Sequence, residues 1–416
     1  MKVLIVGGGG REHAIAWKFK QSPKVTQLFC APGNAGIAGL ATCVPIKATD
    51  LDAMVEFACS EKIDLVFVAP DDPLALGLVD RLIAAGIRAF GPSRAAARLE
   101  ASKSFAKDLM RRYNIPTADY AVFDAVEPAL AHLADSDLPI VIKADGLALG
   151  KGVIIAQTRM EAESAVRDML EGNAFGQAGS RVVIESFLTG PELTVLAFAD
   201  GKTVVPMVSS RDHKRAYDHD QGPNTGGMGT IAPGADLSEE QQQEMLETIF
   251  KPTIQAMAAE GCPFKGVIYY GLMLTPNGPK VIEYNARFGD PEAQVVLPLL
   301  ETDLTDICEA VIDGCLDQIE LTWKTGCACC VVMASGGYPG QYKTGYPIHG
   351  LDAVKDSIVF HAGTRFENST VVTAGGRVLG VTAQAATLDE AIDLAYRDVA
   401  RISFADAHYR RDIGRT

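Results

Sequence analysis

The segment Val3-Leu-Ile-Val-Gly-Gly-Gly-Gly-Arg-Glu-His13 decides the fold class. Its four apolar residues are typical of a short buried strand, the four glycines of a tight turn, and the pattern from about Glu12 of a helix. Further apolar strands, such as 25–30 and 64–69, alternate with helical patterns over the first hundred residues. This alternation predicts an α/β fold that begins with a parallel sheet wrapped by helices.

The composition is that of a globular chain with room for about three domains. Of its 416 residues 48% are apolar and 22% charged, which excludes disordered, collagen-like and coiled-coil classes. Lysine and arginine number 38 against 52 acids, a formal net charge of −14, so nucleic acid and anionic lipid should be repelled. The apolar runs are too short to span a bilayer and the N-terminus lacks a signal-peptide pattern. We therefore expect a cytoplasmic protein with no membrane or nucleic-acid partner.

Nine scattered cysteines form no disulfide framework, and most are expected to be reduced and buried. Cys327 and Cys330 make a formal C-x-x-C, but no second pair or histidine cluster accompanies them, so packing is favoured over a metal or redox role.

Three domains are predicted along the chain. Residues 1–101 form the parallel α/β domain, 102–322 a central core, and 323–416 a smaller mixed α/β domain. Within the core, strands and helices from about 120 to 190 form a compact lid, whose hairpin joins the strand at 139–143 to a return strand at 152–155.

The first glycine loop, 7–13, lies between a strand and a helix, where backbone amides can approach a phosphate. A dinucleotide fingerprint fails, because Glu12 or His13 occupies the place of its third glycine and no acid follows the second strand. A phosphate or sugar phosphate is the preferred ligand, and a purely structural turn remains the alternative.

The second glycine loop runs Lys143-Ala-Asp-Gly-Leu-Ala-Leu-Gly-Lys-Gly-Val153. It is one residue too short for a P-loop, and Gly152 stands where that motif needs Ser or Thr. Two lysines around a glycine-rich hairpin predict instead a flap that closes over a triphosphate. An ordinary hairpin with surface lysines is the alternative.

The strongest candidate site is Val281-Ile-Glu-Tyr-Asn-Ala-Arg-Phe-Gly-Asp-Pro-Glu292. Period-two alternation places Glu283, Asn285 and Arg287 on one face of a strand. A carboxylate and an amide oxygen suit magnesium, and an arginine fork suits a carboxylate or phosphoryl group. A solvated strand edge is the competing interpretation.

Two further segments give weaker signals. The acids of 185–192, on either side of a Gly-Pro turn, could meet a nucleoside or simply lie on an exposed strand. Asp212-His-Lys-Arg215 and the aperiodic loop 222–229, with Asn224 and Thr225, could wrap a small anionic substrate or form a charged turn and a flexible linker.

Together these motifs closely resemble the glycinamide ribonucleotide synthetase (phosphoribosylamine-glycine ligase) family of the ATP-grasp superfamily. The resemblance covers essentially the whole chain. Its seven motifs, in order, are Gly-x-Gly-Gly-Arg-Glu-His at 7–13, Pro-Gly-Asn at 32–34, Ser-Lys at 102–103, the loop at 143–153, Asp-His-Lys-Arg at 212–215, Gly-Pro-Asn-Thr-Gly-Gly-Met-Gly at 222–229 and Arg-Phe-Gly-Asp-Pro-Glu at 287–292.

The resemblance implies an ATP-grasp core between the two flanking domains, a monomer, and ligation of glycine to 5-phosphoribosylamine through a glycyl phosphate. The implied nucleotide contacts are Lys103, Lys143, Gly146, Gly150, Lys151, Gly152, Glu185, Leu188 and Glu192. The implied ligands of magnesium, or of manganese in its place, are Glu283 and Asn285. The implied catalytic residues are Arg287 and Asp212. The phosphoribosylamine side comprises Gly7, Gly9, Gly10, Arg11, Asn34, Asn224, Thr225, Gly226 and Asp290.

One departure from the wider ATP-grasp group concerns the metal. Gly271-Leu-Met precedes the Glu283 strand where that group has a ligand acid, which leaves fewer metal ligands. Two alternatives stay open: a ligase for another acid or amine, and a non-catalytic nucleotide sensor on the same fold. The 222–229 loop argues against the first, and retention of Glu283, Asn285 and Arg287 against the second.

Overall fold

A computed structural model describes residues 1–147, 152–171 and 180–415. The chain begins with a five-stranded parallel sheet of order β3-β2-β1-β4-β5, which confirms the α/β prediction. Its elements are β1 (Lys2–Gly7), α1 (Gly10–Phe19), β2 (Gln27–Pro32), β3 (Thr42–Cys43), α2 (Leu51–Ser60), β4 (Leu65–Val68), α3 (Asp71–Leu76), α4 (Leu78–Ala84) and β5 (Arg88–Phe90). Because the strands are parallel, the loops after β1, β2 and β4 meet at one edge of the sheet.

Two helices, α5 (Arg94–Ala101) and α6 (Lys103–Arg112), connect this sheet to the next layer. The lid follows as a four-stranded antiparallel sheet, β6-β9-β7-β8, with two helices. Its elements are β6 (Tyr120–Phe123), α7 (Val126–Ala134), β7 (Ile140–Ala144), β8 (Val153–Ala156), α8 (Arg159–Leu170) and β9 (Val182–Ser186). The predicted hairpin of β7 and β8 is confirmed by their antiparallel register.

The central sheet, in the order β11-β10-β16-β17, carries the strongest sequence motif on its last strand. The elements of this region are β10 (Glu192–Asp200), β11 (Val204–Pro206), β12 (Arg211–Asp212), β13 (Arg215–Tyr217), β14 (Gln221–Asn224), β15 (Gly229–Ala232), α9 (Glu239–Met245), α10 (Lys251–Ala259), β16 (Lys265–Thr275), β17 (Gly278–Asn285), α11 (Ala293–Leu299) and α12 (Leu304–Asp313). Helical backbone runs without a break from Glu239 to Ala259, with a π-helical turn, Leu246–Phe250, between α9 and α10. Pro252 has no amide hydrogen for the regular ladder, and the wider turn accommodates it.

The last sheet combines strands from two distant parts of the chain. Its elements are β18 (Cys327–Ser335), β19 (Ser357–His361), β20 (Thr364–Glu367), β21 (Thr370–Thr373), β22 (Arg377–Ala385), α13 (Leu388–Val399) and β23 (Ala407–His408). The order is β12-β15-β18-β22-β19, with β23 also on β18, so β12 and β15 come from the middle of the chain. No local sequence pattern indicates that these two strands join the last sheet.

The hydrophobic residues of the central strands are buried, as the apolar runs predict. All nine cysteines are free thiols, and Cys30, Cys262, Cys308, Cys329 and Cys330 are buried. Cys327, Cys329 and Cys330 lie in β18, which is the packing role expected. Among the residues described, no helix has the length and apolar character needed to cross a membrane.

Candidate active site

The glycine loop after β1 packs tightly against the loop after β2. Gly7 has a φ of +119°, which favours glycine, and a Cβ at Gly8 would lie 2.5 Å from the Gly33 carbonyl oxygen. The Gly9 amide donates to Glu12 Oε2 at 2.5 Å, so a carboxylate from the first turn of α1 caps that helix. The loop is therefore shaped by close backbone approach and carries an acid at its mouth.

The side chain of Asn34 makes hydrogen bonds at this same junction. Its Nδ2 donates to the Gly8 carbonyl at 2.9 Å and to the His361 carbonyl at 2.7 Å. Its Oδ1 accepts from the amides of Gly36 and Ile37. Asn34 thus joins the first sheet to the last one, and its side-chain polar groups already have partners in the fold.

Arg11 and Asp290 meet beside the loop. The Arg11 guanidinium is buried, with Nε 2.6 Å from Glu12 Oε1 and Nη1 donating to the Phe288 carbonyl at 3.1 Å. Asp290 accepts from Gln294 Nε2 at 2.7 Å. Burial alone would raise the pKa of Asp290, but Arg377 and Arg11 hold that pKa below its usual value. Asp290 is thus an anion at neutral pH, with the backbone of Arg11 nearby.

Arg377 ties the 222–229 loop to this corner. Its Nη1 donates to the carbonyls of Gly226 and Asp290, each at 2.5 Å, and its Nη2 lies 3.6 Å from Asp290 Oδ2. The Gly226 amide donates to the Tyr338 hydroxyl at 3.0 Å. Arg377 of β22 and Tyr338, which follows β18, therefore fix the backbone of two predicted site loops.

The 222–229 loop closes over Asp212. Thr225 Oγ1 donates to the Lys214 carbonyl at 2.8 Å and accepts from the Gly227 amide at 3.0 Å, while Asn224 ends β14 half-buried. Burial and the neighbouring Glu292 raise the pKa of Asp212 well above its usual value. Asp212 Oδ1 is buried and accepts no hydrogen bond from the part of the chain that is described.

Three lysines converge on Glu283. Lys214 Nζ lies 3.5 Å from Glu283 Oε1, and Lys214, Lys143 and Lys103 together hold the pKa of Glu283 below its usual value against the effect of burial. They come from separate elements: α6, β7 and the segment after β12. A carboxylate so surrounded stays ionised and can accept a metal ion or order the lysines for phosphate.

Arg287 lies just beyond β17, which ends at Asn285, so the predicted strand face holds Glu283 and Asn285 but not the arginine. The three side chains remain together, since Arg287 Nη2 is 3.3 Å from Asn285 Oδ1. Glu100 of α5 forms an ion pair with the same guanidinium, in which Arg287 Nη2 lies 2.8 Å from Glu100 Oε1. Glu100 Oε2 also accepts from the Ala286 amide at 2.7 Å, which fixes the chain at the bend.

The donor set of Glu283 and Asn285 fits a hard divalent cation. Gly271 lies directly across the ladder from Glu283 and adds no ligand. No group of three or more His, Cys, Asp or Glu side chains suited to a metal occurs in the described ranges. Magnesium binds through one or two protein oxygens when substrate phosphates and water complete its shell, and these two residues can supply that share.

The residues predicted to bind nucleotide lie at the junction of lid and core. Lys103 Nζ donates to the Gly146 carbonyl at 2.8 Å, and Lys143 Nζ to the Ile282 carbonyl at 2.9 Å. Glu192 is exposed and lies 3.3 Å from Lys214 Nζ. Of the other residues in the predicted set, Glu185 is buried in β9 and Leu188 follows that strand half-buried. The Gly152 carbonyl accepts from the Ala144 amide at 2.9 Å. Gly150 and Lys151 lie outside the described residues.

Comparison with family models covers nearly the whole chain. The N domain of phosphoribosylglycinamide synthetase matches residues 1–100, its ATP-grasp (A) domain residues 101–293, and its C domain residues 328–416. The chain belongs to the phosphoribosylglycinamide synthetase family.

Relatives and solved structures agree with this assignment. A phosphoribosylamine–glycine ligase of Allochromatium vinosum is 53% identical over 420 residues, covering 100% of this chain and 98% of the relative. That of Halalkalibacterium halodurans is 51% identical over 415 residues, with 100% and 96% covered. The crystal structure of the Thermotoga maritima ligase superposes with a TM-score of 0.88 at 33% identity, covering 99% of this chain and 100% of that one.

The fold extends beyond the family. A biotin carboxylase of Campylobacter jejuni, solved as a β,γ-ATP complex, gives a TM-score of 0.73 at 17% identity, with 98% of this chain and 92% of that one covered. The family models and the curated relatives show that the chain is an ATP-using enzyme of the ATP-grasp carboxylate-amine ligase class, as predicted.

The sequence-based predictions gave no role to several charged residues near this site, namely Glu100, Lys107, Asp145, Glu292 and Arg377. Asp145 accepts from the Ser104 amide at 2.8 Å and the Ser104 hydroxyl at 2.6 Å, and pairs with Arg181 at 3.0 Å. The available signal was position: Glu100 and Lys107 fall on helix faces otherwise filled by buried residues. A charge on such a face needs a partner, and the partner lies far away in sequence.

Proposed function

We propose that this protein joins glycine to 5-phosphoribosylamine with ATP, giving glycinamide ribonucleotide, ADP and phosphate, a step of purine biosynthesis. The observation that carries the proposal is the convergence of Lys103, Lys143 and Lys214 on Glu283, beside Arg287. Such a site neutralises and aligns charged reactants, as phosphoryl transfer requires, and offers no nucleophile of its own.

The nucleotide is assigned to the cleft between lid and core. Lys103 and Lys143 hold its phosphates, together with the loop formed by Gly146, Gly150, Lys151 and Gly152. Leu188 and the backbone near Glu185 face the adenine, and Glu192 accepts from the ribose hydroxyls. The support is positional, since Lys103 and Lys143 border Glu283 from α6 and β7.

A divalent cation, magnesium or manganese, would be held by Glu283 and Asn285. Such an ion neutralises the phosphates and orients the terminal phosphoryl group. The Glu283 carboxylate is kept ionised by its three lysines, which suits it to this role. Asn285 contributes a neutral oxygen that Arg287 also contacts at 3.3 Å.

Arg287 orients the carboxylate of glycine. A glycine oxygen attacks the terminal phosphorus of ATP and ADP leaves, which forms the glycyl phosphate. The amine nitrogen of phosphoribosylamine then attacks the carbonyl carbon, the phosphate leaves with its bonding electrons, and the amine loses a proton. Asp212, whose buried Oδ1 has a raised affinity for protons, is assigned as the acceptor.

Phosphoribosylamine is assigned to the corner where the first sheet meets the last one. Gly7, Gly9, Gly10 and Arg11 form its floor, with Asn34 behind them. The wall consists of Asn224, Thr225, Gly226 and Asp290. The support is that Arg377 fixes Gly226 and Asp290 against this floor.

The decisive experiment is a coupled assay of ADP release with glycine, other amino acids and freshly made phosphoribosylamine. We expect release with glycine plus freshly made phosphoribosylamine, and little with other amino acids or when either partner is omitted. Release with another amino acid would identify a different ligase, and binding of ATP without any release would identify a nucleotide sensor. We also propose that the protein is a cytoplasmic monomer. Light scattering on the same preparation would measure its oligomeric state.

A further inference from the structure

A buried triad of charges lies at the base of the lid, and one member has no place in the scheme above. Lys107 of α6 is only 2% exposed, and its Nζ lies 2.7 Å from Glu185 Oε2. The other carboxylate oxygen, Oε1, lies 2.9 Å from Lys143 Nζ. Two ammonium groups therefore share one carboxylate, at side-chain exposures of 3–4%.

The charges of this triad do not cancel. With both lysines protonated it carries a net charge of +1 among buried side chains, which is costly unless a further anion is present or arrives. A neutral pair of Glu185 and Lys143 would satisfy the fold at lower cost. The surplus charge lies next to the place where the phosphates are assigned, because Lys143 also borders Glu283.

The triad also connects two bodies of the molecule. Glu185 and Lys143 belong to the neighbouring lid strands β9 and β7, whose register pairs Lys143 with Val183. Lys107 belongs to the core helix α6, where its Nζ also donates to Thr117 Oγ1 at 2.8 Å. Its contact with Glu185 therefore fixes the lid strands against the helix that carries Lys103.

We propose that Lys107 is a positioning residue for the nucleotide: it neutralises Glu185 from the core side, so that Lys143 keeps its charge available for the phosphates. This rests on the proposed assignment of ATP to Lys143. Lys107 itself does not contact the nucleotide. Its effect passes through Glu185, and so should appear in nucleotide affinity before it appears in the affinity for glycine.

The proposal makes nucleotide binding depend on pH in a defined range. Burial lowers the pKa of Lys107 to about 8, although Glu185 opposes this shift. The groups that face its ammonium are Glu185 and Lys143 from the lid, Asp119, the hydroxyl of Thr117, and the ring of Tyr120 at 5.8 Å. Above this pKa the triad loses its surplus charge, so nucleotide should bind more weakly as pH rises from 7 to 9 and take up protons on binding.

The test measures binding of ADP with magnesium chloride to the full-length protein by calorimetry between pH 7 and 9.5. In the wild type we expect affinity to fall by about tenfold across this range, with uptake of roughly half a proton at pH 8. Lys107→Met should bind about tenfold more weakly at pH 7 and show a flat profile. Lys107→Arg should keep the affinity of pH 7 and carry it unchanged to pH 9, because arginine does not lose its proton.

Two controls separate the possible causes. Lys18→Met removes another buried ammonium, which donates to the Leu300 carbonyl at the far end of α1, and should leave ADP binding unchanged. Should Lys107→Met not fold, Lys107→Met combined with Glu185→Gln restores the net charge of +1 and should recover affinity at pH 7. A double variant that folds and still binds as weakly as the single one overturns the charge argument.

The outcomes also separate this inference from the proposed function. If Lys143→Met binds ADP as tightly as the wild type, the nucleotide assignment itself fails, and the inference fails with it. If Lys143→Met weakens binding while Lys107→Met does not, only the inference is wrong. A wild-type profile that stays flat between pH 7 and 9.5, or a slope that Lys107→Arg retains, also overturns it.

Discussion

Loss of the carboxylate at Glu100 should separate the stability of the site from its catalytic geometry. In the wild type, Glu100 accepts from the Ala286 amide at 2.7 Å and pairs with Arg287 at 2.8 Å. In Glu100→Gln the side-chain oxygen can still accept from the Ala286 amide, but the charge that holds Arg287 is gone. A hydrogen bond to a charged group contributes about 1.5–3 kcal/mol and a neutral one about 0.5–1.5 kcal/mol, so we expect a loss of about 1–2 kcal/mol in unfolding free energy. Glu100→Ala, which leaves a half-buried guanidinium without that partner, should lose about 3 kcal/mol.

The catalytic effect should exceed the effect on stability. Arg287 keeps only its weaker contacts, at 3.3 Å to Asn285 Oδ1 and 3.4 Å to the Phe288 carbonyl, so its guanidinium can shift. A displacement of about 1 Å costs about 100-fold in rate, and we expect kcat/KM for glycine to fall by that factor in Glu100→Gln.

Urea unfolding and steady-state assays with glycine varied measure the two effects. Glu260→Gln is the matched control, since Glu260 also accepts from an arginine (Arg112, 2.7 Å) and a second donor but is more exposed than Glu100. It should change stability by less than about 1 kcal/mol and leave kcat/KM unaltered. Unaltered glycine kinetics in a folded Glu100→Gln protein would refute the positioning of Arg287 by Glu100.

Three further predictions concern the metal, the loop and acid stability. Glu283→Gln should abolish turnover with the fold intact, whereas Asn285→Ala should lose less and recover in part at high magnesium; full activity of Glu283→Gln, or no metal rescue of Asn285→Ala, would contradict the ligand assignment. Gly227→Ala should cost more than tenfold in kcat, because a Cβ at its φ of +112° would lie 2.7 Å from Asp212 Oδ1; thermal melting would show whether unfolding is the cause instead. Burial lowers the pKa of His13 to about 3, so below pH 6.5 the unfolded chain binds a proton that the folded chain cannot, and stability should fall by about 1.4 kcal/mol per pH unit from this group. His13→Gln should remove that share of the slope in urea titrations between pH 6.5 and 4.5, and an unchanged slope would show that His13 does not contribute.

The sequence predicted well the features that depend on neighbours along the chain. The strand-glycine-helix order of the first sheet, the lid hairpin and the alternation of Glu283 and Asn285 all follow from local periodicity and turn chemistry. Arg287 was placed on the same face by extending that alternation past Asn285, where the strand ends.

Features that depend on distant partners could not be predicted in the same way. Glu100 and Lys107 are ordinary charged residues by local pattern, and their roles appear only when α5 and α6 meet β17 and β9. Arg377 gains its role from two carbonyls about 90 and 150 residues earlier. The donation of β12 and β15 to the last sheet depends on register with β18, which no local pattern encodes.

The pairing of β12 and β15 with the last sheet limits where domains can be exchanged between members of the family. A graft cut before Cys327 would separate β15 from β18 and leave Gly229–Ala232 to pair with a foreign strand, at the place where Gly227 closes over Asp212. A chimaera that also carries residues 211–232 from the donor would keep both sides of the ladder matched. The exchangeable unit of this protein is therefore a set of paired strands, and its two parts are far apart in the sequence.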